Sequence, residues 1–220
     1  MDDFRKIDSS GRISQIYSSI PSQLALNKKR YVLSNAINKR TTKKDEELLQ
    51  DLIDSKTVMI CYNSTQPSIA LSQTKNLSSY KLYIADIGLF TTLLFNDASR
   101  TNDQIYQKLL SNKLDVNLGY LYENAVAQII KSNDIELYYH TWNKENSVHY
   151  YEIDFLVVKN KKVVPIEIKS GNINNFNSFD AFCKKYSHII GERYIISQKD
   201  ISNKDMIKIR PFYLTSNILK

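Results

Sequence analysis

The stretch Tyr150-Tyr151-Glu152-Ile153-Asp154-Phe155-Leu156-Val157-Val158-Lys159-Asn160-Lys161-Lys162-Val163-Val164-Pro165-Ile166-Glu167-Ile168-Lys169 decides the fold. Two runs rich in β-branched and aromatic residues flank a short basic turn, the pattern of two strands joined as a hairpin. Period-two alternation puts Ile153, Phe155 and Val157 on one face of the first strand and Glu152, Asp154 and Leu156 on the other. In the second strand Val164, Ile166 and Ile168 oppose Pro165, Glu167 and Lys169. A two-residue turn centred on Asn160-Lys161 sets Asp154 opposite Glu167 and Glu152 opposite Lys169. Facing carboxylates with Cβ atoms about 5 Å apart destabilise a sheet, so the pattern calls for a compensating cation.

A divalent metal, Mg²⁺ or Mn²⁺, is the expected compensation, because it takes carboxylate oxygens, keeps several waters and binds phosphate. Lys169 then has a role as a point charge that positions the attacking water or stabilises a phosphoryl transition state. Glu123 lies on a helix expected over 118–131, whose apolar stripe comprises Leu118, Tyr122, Ala125, Val126 and Ile129. At about 100° per residue Glu123 falls on the flank of that stripe, beside Val126 and Ile130, from which a helix packed on the sheet directs it to the rim.

Around this core the order from residue 118 reads helix, strand, strand, strand, helix, strand, which makes a mixed sheet with flanking helices. The strands are expected at 136–140, 150–158, 163–169 and 194–197, the second helix at 176–186, and a last edge strand at 209–214 that tolerates Pro211. Upstream, helices are expected at 13–20, 30–37 and 45–53, with a break at Pro21-Ser22. A β-rich run at 57–62 ending in a polar turn suggests a hairpin after the last helix, hence a winged-helix-like module. The run Lys81-Leu82-Tyr83-Ile84-Ala85-Asp86-Ile87-Gly88-Leu89-Phe90 reads as strand into helix. The expected division is a first module over 1–95 and a second domain over 96–220.

Lys and Arg number 30 against 23 Asp and Glu, a formal charge of +7 that favours an anionic partner, nucleic acid and DNA first. The basic residues Lys28, Lys29, Arg30, Lys39, Arg40, Lys43 and Lys44 are the candidate contacts, with a solvated surface as the alternative. Hydrophobic residues at 42% and charged at 24% describe a chain that folds. Cys61 and Cys183 form no CxxC pair, no apolar stretch of about 18 residues occurs, and the chain opens on acidic residues, so no membrane contact and a cytoplasmic setting are expected. His140, His149 and His188 lack metal-ligand spacing, and the Tyr-rich segments read as sheet packing.

A helix Glu123, then Asp154 in one strand, then Glu167-Ile168-Lys169 in the next resembles the PD-(D/E)XK nuclease arrangement. That likeness implies a restriction-endonuclease-like sheet, metal ligands at Asp154, Glu167 and Glu123, and catalytic roles for these three with Lys169. Ile20-Pro21-Ser22-Gln23-Leu24, the Lys81 to Leu89 run and Tyr122-Glu123-Asn124-Ala125-Val126-Ala127 further resemble the C-terminal region of bacterial and archaeal AAA-type ATPases, which end in a domain of unknown function. The resemblance implies a winged helix followed by a Holliday-junction-resolvase-like fold, with an ATPase module as partner. The five glycines supply no G-x-x-x-x-G-K-[ST] loop, so this chain is not expected to hydrolyse ATP. Two functions remain open at this point: a metal-dependent nuclease-like domain, or an inactive module that binds DNA or protein or regulates the ATPase.

Overall fold

In the computed structural model, which describes residues 11–26, 29–95, 119–145, 147–171 and 176–220, helices α1 (Arg12–Ala25), α2 (Leu33–Ile37) and α3 (Lys43–Asp54) lead into strand β1 (Val58–Ser64). A 3₁₀ turn at Leu71–Thr74, strand β2 (Lys75–Ile84) and helix α4 (Ile87–Leu94) follow. Next come α5 (Gly119–Ser132), β3 (Leu137–Asn143), β4 (Tyr150–Lys159) and β5 (Lys162–Lys169). The chain ends with α6 (Asn177–Lys185), β6 (Arg193–Ser197), β7 (Ser202–Lys204), β8 (Ile207–Pro211) and a short α7 (Thr215–Leu219). The strands form one mixed sheet in the order β2-β1-β3-β4-β5-β6-β8-β7, flanked by helices. The expected division between 95 and 96 adjoins a stretch outside the described residues, and Lys28 and Leu118 themselves lie outside them. Among the described residues no helix is long and apolar enough to cross a membrane.

Asn160 and Lys161 both adopt left-handed φ, 52° and 57°, as a tight primed hairpin turn requires. The register is the expected one, with Lys159 opposite Lys162, Val157 opposite Val164 and Phe155 opposite Ile166. The alternation on β4 differs from expectation. Against β3, Leu156 pairs with Tyr138 but Ile153 pairs with His140, so Asp154 and Phe155 together span the single residue Tyr139. Such a bulge re-aims the side chains around it. Ile153 consequently packs with Leu156 in one core, while Phe155 and Val157 pack in the other.

Both sheet faces are therefore covered, where one apolar and one charged face had been expected. One core joins Val164 and Ile166 to Ile16, Ile20, Leu52, Val126 and Ile130 of the helices. The other joins Val163 and Ile195 to Phe179 and Phe182 of α6. The parallel pairs β5–β6 and β6–β8 demand cover on both sides. Each fully buried aliphatic side chain contributes about 1.5–3 kcal/mol.

Four further expectations need correction. Helix α1 runs through Pro21 instead of breaking there, because Ile16, Ile20 and Leu24 continue one buried stripe and outweigh the single lost backbone bond. Helix α2 starts only at Leu33, since Tyr31 N–H bonds to Tyr80 O of β2 and the Gln23 amide grips Val32. Strand β8 is not the edge: its free side accepts the short exposed β7, and Pro211 closes it. The buried stripe of α5 is Tyr120, Asn124, Val126, Ala127 and Ile130, rotated from the expected one. The hairpin expected after the third helix is β1–β2, and β1 also pairs in parallel with β3.

Candidate functional site

Glu123 sits on α5 one turn from Tyr120 and one from Val126 and Ala127, all buried, so it points along the helix face that meets the sheet. Its neighbour Asn124, fully buried, locks the helix in place. The Asn124 side chain accepts from Ile84 N–H at 2.8 Å and donates to Ile84 O at 2.9 Å, imitating a strand against β2. Strand β4 supplies Glu152 and Asp154, β5 supplies Glu167 and Lys169, and β2 supplies Lys81 and Tyr83.

Carboxylate oxygens of Glu123, Glu152 and Asp154 lie within 4.8 Å of one another. The Lys81 ammonium enters this group from β2, donating to Glu123 Oε1 at 2.8 Å and to Glu152 Oε1 at 2.6 Å. Tyr83 donates its hydroxyl to the same Glu123 oxygen. Lys81 is only 6% exposed. Burial alone would lower its pKa, but Glu123, Glu152 and Asp154 outweigh that and hold it well above the usual lysine range. Glu152 is raised, first by loss of water and despite Lys81, and its Oε2 is buried without a hydrogen-bond partner.

The other half opens to solvent. A cleft of about 290 Å³ is lined by Glu123, Asp154, Glu167 and Lys169, with Ser170 and Gly171 beside them. Past the last described β4–β5 pair, Asp154 Oδ2 accepts from Ile168 N–H at 2.7 Å. Lys169 donates to Glu167 Oε1 at 2.8 Å, while Glu167 Oε2 is buried and unpartnered. Desolvation followed by the charges of Glu167 and Glu123 pushes Asp154 well above the ordinary carboxylate range. Glu167 is raised by burial, against the pull of Lys169. Carboxylates kept dry and short of donors suit a hard cation of oxygen-ligand preference.

All four expected residues, Glu123, Asp154, Glu167 and Lys169, thus line one cleft. Among the described residues, the tightest carboxylate group joins Glu123 and Asp154 to Glu152, not to Glu167. Three participants were missed by reading the sequence. Glu152 shares the charged face with Asp154 in the period-two pattern, but nothing in that pattern pairs it with a lysine of β2. Lys81 and Tyr83 went unread, although a lysine inside the strand run Lys81-Leu82-Tyr83-Ile84 is a signal, since a buried lysine needs a partner.

The remaining candidates lie elsewhere. His140 bonds Ser64 O through Nδ1 at 2.6 Å and stacks on Trp142, and burial lowers its pKa to about 4, so it packs the core as a neutral ring. Lys29 and Arg30 turn onto the sheet, Lys29 over the Tyr150 ring at 4.3 Å and Arg30 onto Ser78 O. Lys39, Arg40, Lys43 and Lys44 are exposed on the loop and helix start between α2 and α3. Cys61 and Cys183 are buried and free.

Residues 118–212 match a domain of unknown function, DUF4143. That span holds Glu123, Glu152, Asp154, Glu167 and Lys169, whereas Lys81 lies outside it. No curated protein matches the chain. Among solved structures, the protein VC1899 from Vibrio cholerae is similar at 12% identity and a TM-score of 0.32, covering 96% of this chain and 55% of that one. The chain spans about half the length of that structure.

Proposed function

We propose that the C-terminal part is a metal-dependent nuclease-like domain of the PD-(D/E)XK, restriction-endonuclease-like class, acting on or binding nucleic-acid phosphodiesters as an appendage of an AAA-type ATPase. The observation that carries this reading is Glu167 Oε2, buried and unpartnered in a cleft it shares with Asp154, Glu123 and Lys169. An unsatisfied buried carboxylate oxygen costs stability, and a cation in the cleft offsets that cost. The donor set is all hard oxygen, which fits Mg²⁺ or Mn²⁺.

Asp154 and Glu167 would hold the metal, with Glu123 lining the same cleft. Bound there, the metal supplies an activated water and neutralises phosphate charge. Lys169, held at the cleft mouth by Glu167, presents its ammonium to the phosphate oxygens and stabilises charge that develops in the transition state. Asp154, pinned by Ile168 N–H through Oδ2, lines the cleft with its carboxylate.

Cleavage of labelled duplex, branched and single-stranded DNA and RNA with Mn²⁺ tests this. The expected result is cleavage by the wild type that Lys169→Ala removes while Mn²⁺ affinity survives. Absence of both Mn²⁺ binding and cleavage overturns it. The second reading is an inactive module that binds nucleic acid or regulates the ATPase. It is favoured by Lys81, which already neutralises part of the acidic cluster.

A further inference from the structure

Four carboxylates and two lysines meet at the cleft and in the buried cluster behind it: Glu123, Asp154, Glu167 and Lys169 line the cleft, and Glu152 and Lys81 join Glu123 on its inner side. When all are ionised, two negative charges remain, the charge of one divalent cation. The two lysines are not equivalent. Lys169 is partly exposed at the mouth, whereas Lys81 is buried on the sheet side and bound by two carboxylates at once.

We infer that Lys81 is a built-in counter-ion that occupies a cation position between Glu123 and Glu152, withholding Glu152 from metal and limiting the site to one divalent ion. This rests on the metal-site reading above only for the outer position at Asp154 and Glu167. An ammonium is a compact point charge with donors on all sides, and in this group it does what a metal would do for Glu123 Oε1 and Glu152 Oε1. A divalent ion placed among the same three carboxylates meets that ammonium at a few ångströms in a poorly screened setting, where like charges repel strongly.

Lys81 is also poorly placed to step aside. Its backbone is fixed in the β1–β2 ladder opposite Cys61, and its side chain is enclosed, with the Tyr139 ring 5.3 Å from Nζ. Glu152 Oε2 has no hydrogen-bond partner, so the carboxylate retains an oxygen that a second cation can use once Lys81 is gone. The acidic group is thus a two-cation site with one place taken by the protein itself.

The test measures Mn²⁺ stoichiometry by calorimetry and by bound manganese after desalting, with thermal melts in chelator and in Mn²⁺, on the full chain. The wild type should take one Mn²⁺. Lys81→Met should melt lower in chelator, recover most of that loss in Mn²⁺, and take one ion more than the wild type. Glu152→Gln should weaken wild-type Mn²⁺ binding by less than tenfold, because Glu152 contributes charge near the ion but no ligand while Lys81 is present.

A loss of tenfold or more in Mn²⁺ affinity for Glu152→Gln overturns the inference, since losing a true ligand costs at least that much. So does a Lys81→Met stability loss that Mn²⁺ does not recover, which would mark Lys81 as an ordinary structural ion pair. If Lys81→Met fails to fold, Glu152→Gln decides alone. A wild type that takes no Mn²⁺ beside a Lys81→Met that takes one upholds Lys81 as the occupant and overturns the metal site at Asp154 and Glu167.

Discussion

Asp45 and Asp154 are both aspartates withdrawn from bulk water, and the protein treats them in opposite ways. Asp45, at the start of α3, accepts from Arg12 Nη1 at 2.5 Å, Thr42 N–H at 2.8 Å and Thr42 Oγ1 at 2.6 Å. These bonds, led by the Thr42 hydroxyl, hold it below the usual carboxylate range. Asp154 accepts one backbone N–H and faces Glu123, Glu152 and Glu167, and it is driven up. A carboxylate buried for stability is ringed with donors; one kept for a ligand is left short of them.

The largest effect that can break this comparison is on metal affinity. Asp154→Asn should cut Mn²⁺ affinity by about 100-fold or more, since even partners one step removed from a metal cost 10–100-fold. In chelator the same variant should melt at or slightly above the wild type, because the amide still accepts from Ile168 N–H and a repelling charge is gone. Calorimetric titration and paired melts read both. A variant that melts far below the wild type in chelator makes Asp154 a structural residue like Asp45.

Asp45→Ala is the converse experiment. It removes the reciprocal cap on α3 and strands Arg12, so the melting temperature should fall by roughly 5–10 °C. The fall should be the same with and without Mn²⁺, and Mn²⁺ affinity should not change. A metal-dependent difference would join the two regions that the comparison separates.

How much of this was legible beforehand follows from the kind of signal each feature leaves. The hairpin was readable because Asn160-Lys161 and the alternating runs fix a register locally, and Phe155 does stand opposite Ile166. That Asp154, Glu167, Lys169 and Glu123 approach one another was readable from the order helix, strand, strand and from resemblance. The bulge at Asp154-Phe155 was not, because it arises from pairing with β3, far away in sequence. Lys81 leaves only the signal of a lysine within an apolar strand run: its partners lie 42 and 71 residues away, and nothing in a strand pattern names them. Two-sided burial was missed for the same reason, since cover by α6 is a tertiary fact.

The pH dependence of the apo protein sharpens the comparison with a smaller effect. Asp154, Glu152 and Glu167 have raised folded pKa values, so the stability they confer is complete at low pH and is lost as pH rises through those values. Asp45 and Glu192 are lowered, so their contribution is present above the ordinary carboxylate range and lost as pH falls through it. In chelator the melting temperature should rise as pH falls from neutral towards about 5, then drop below about pH 4. Saturating Mn²⁺ should reverse the upper limb, because binding needs ionised carboxylates. A flat profile in chelator would mean that the site acids are not strained.

The smallest expected effect concerns the basic surface, where the same contrast between committed and uncommitted groups applies to cations. Lys29 and Arg30 spend their charge on Asn143, Ser78 and the Tyr150 ring, so neutralising them removes contacts within the protein. Lys39, Arg40 and Lys44 are exposed, and Lys43 reaches only Glu47 at 3.9 Å, a pair of little strength in water. If nucleic acid is the partner, the second group carries its phosphate contacts. Each such contact adds about 0.9 to the slope of log K against log salt on duplex DNA. Replacing Lys39, Arg40, Lys43 and Lys44 by Gln should therefore flatten that slope by roughly 2–4 while leaving the melting temperature unchanged. The Lys29→Gln, Arg30→Gln pair should leave the slope nearly intact and lower the melting temperature slightly. Anisotropy of labelled duplex across a salt series reads the first quantity and a thermal melt the second. An unchanged slope in the fourfold variant removes α2 and α3 as the nucleic-acid face, because exposed cations that touch phosphate cannot be neutralised without releasing fewer counterions.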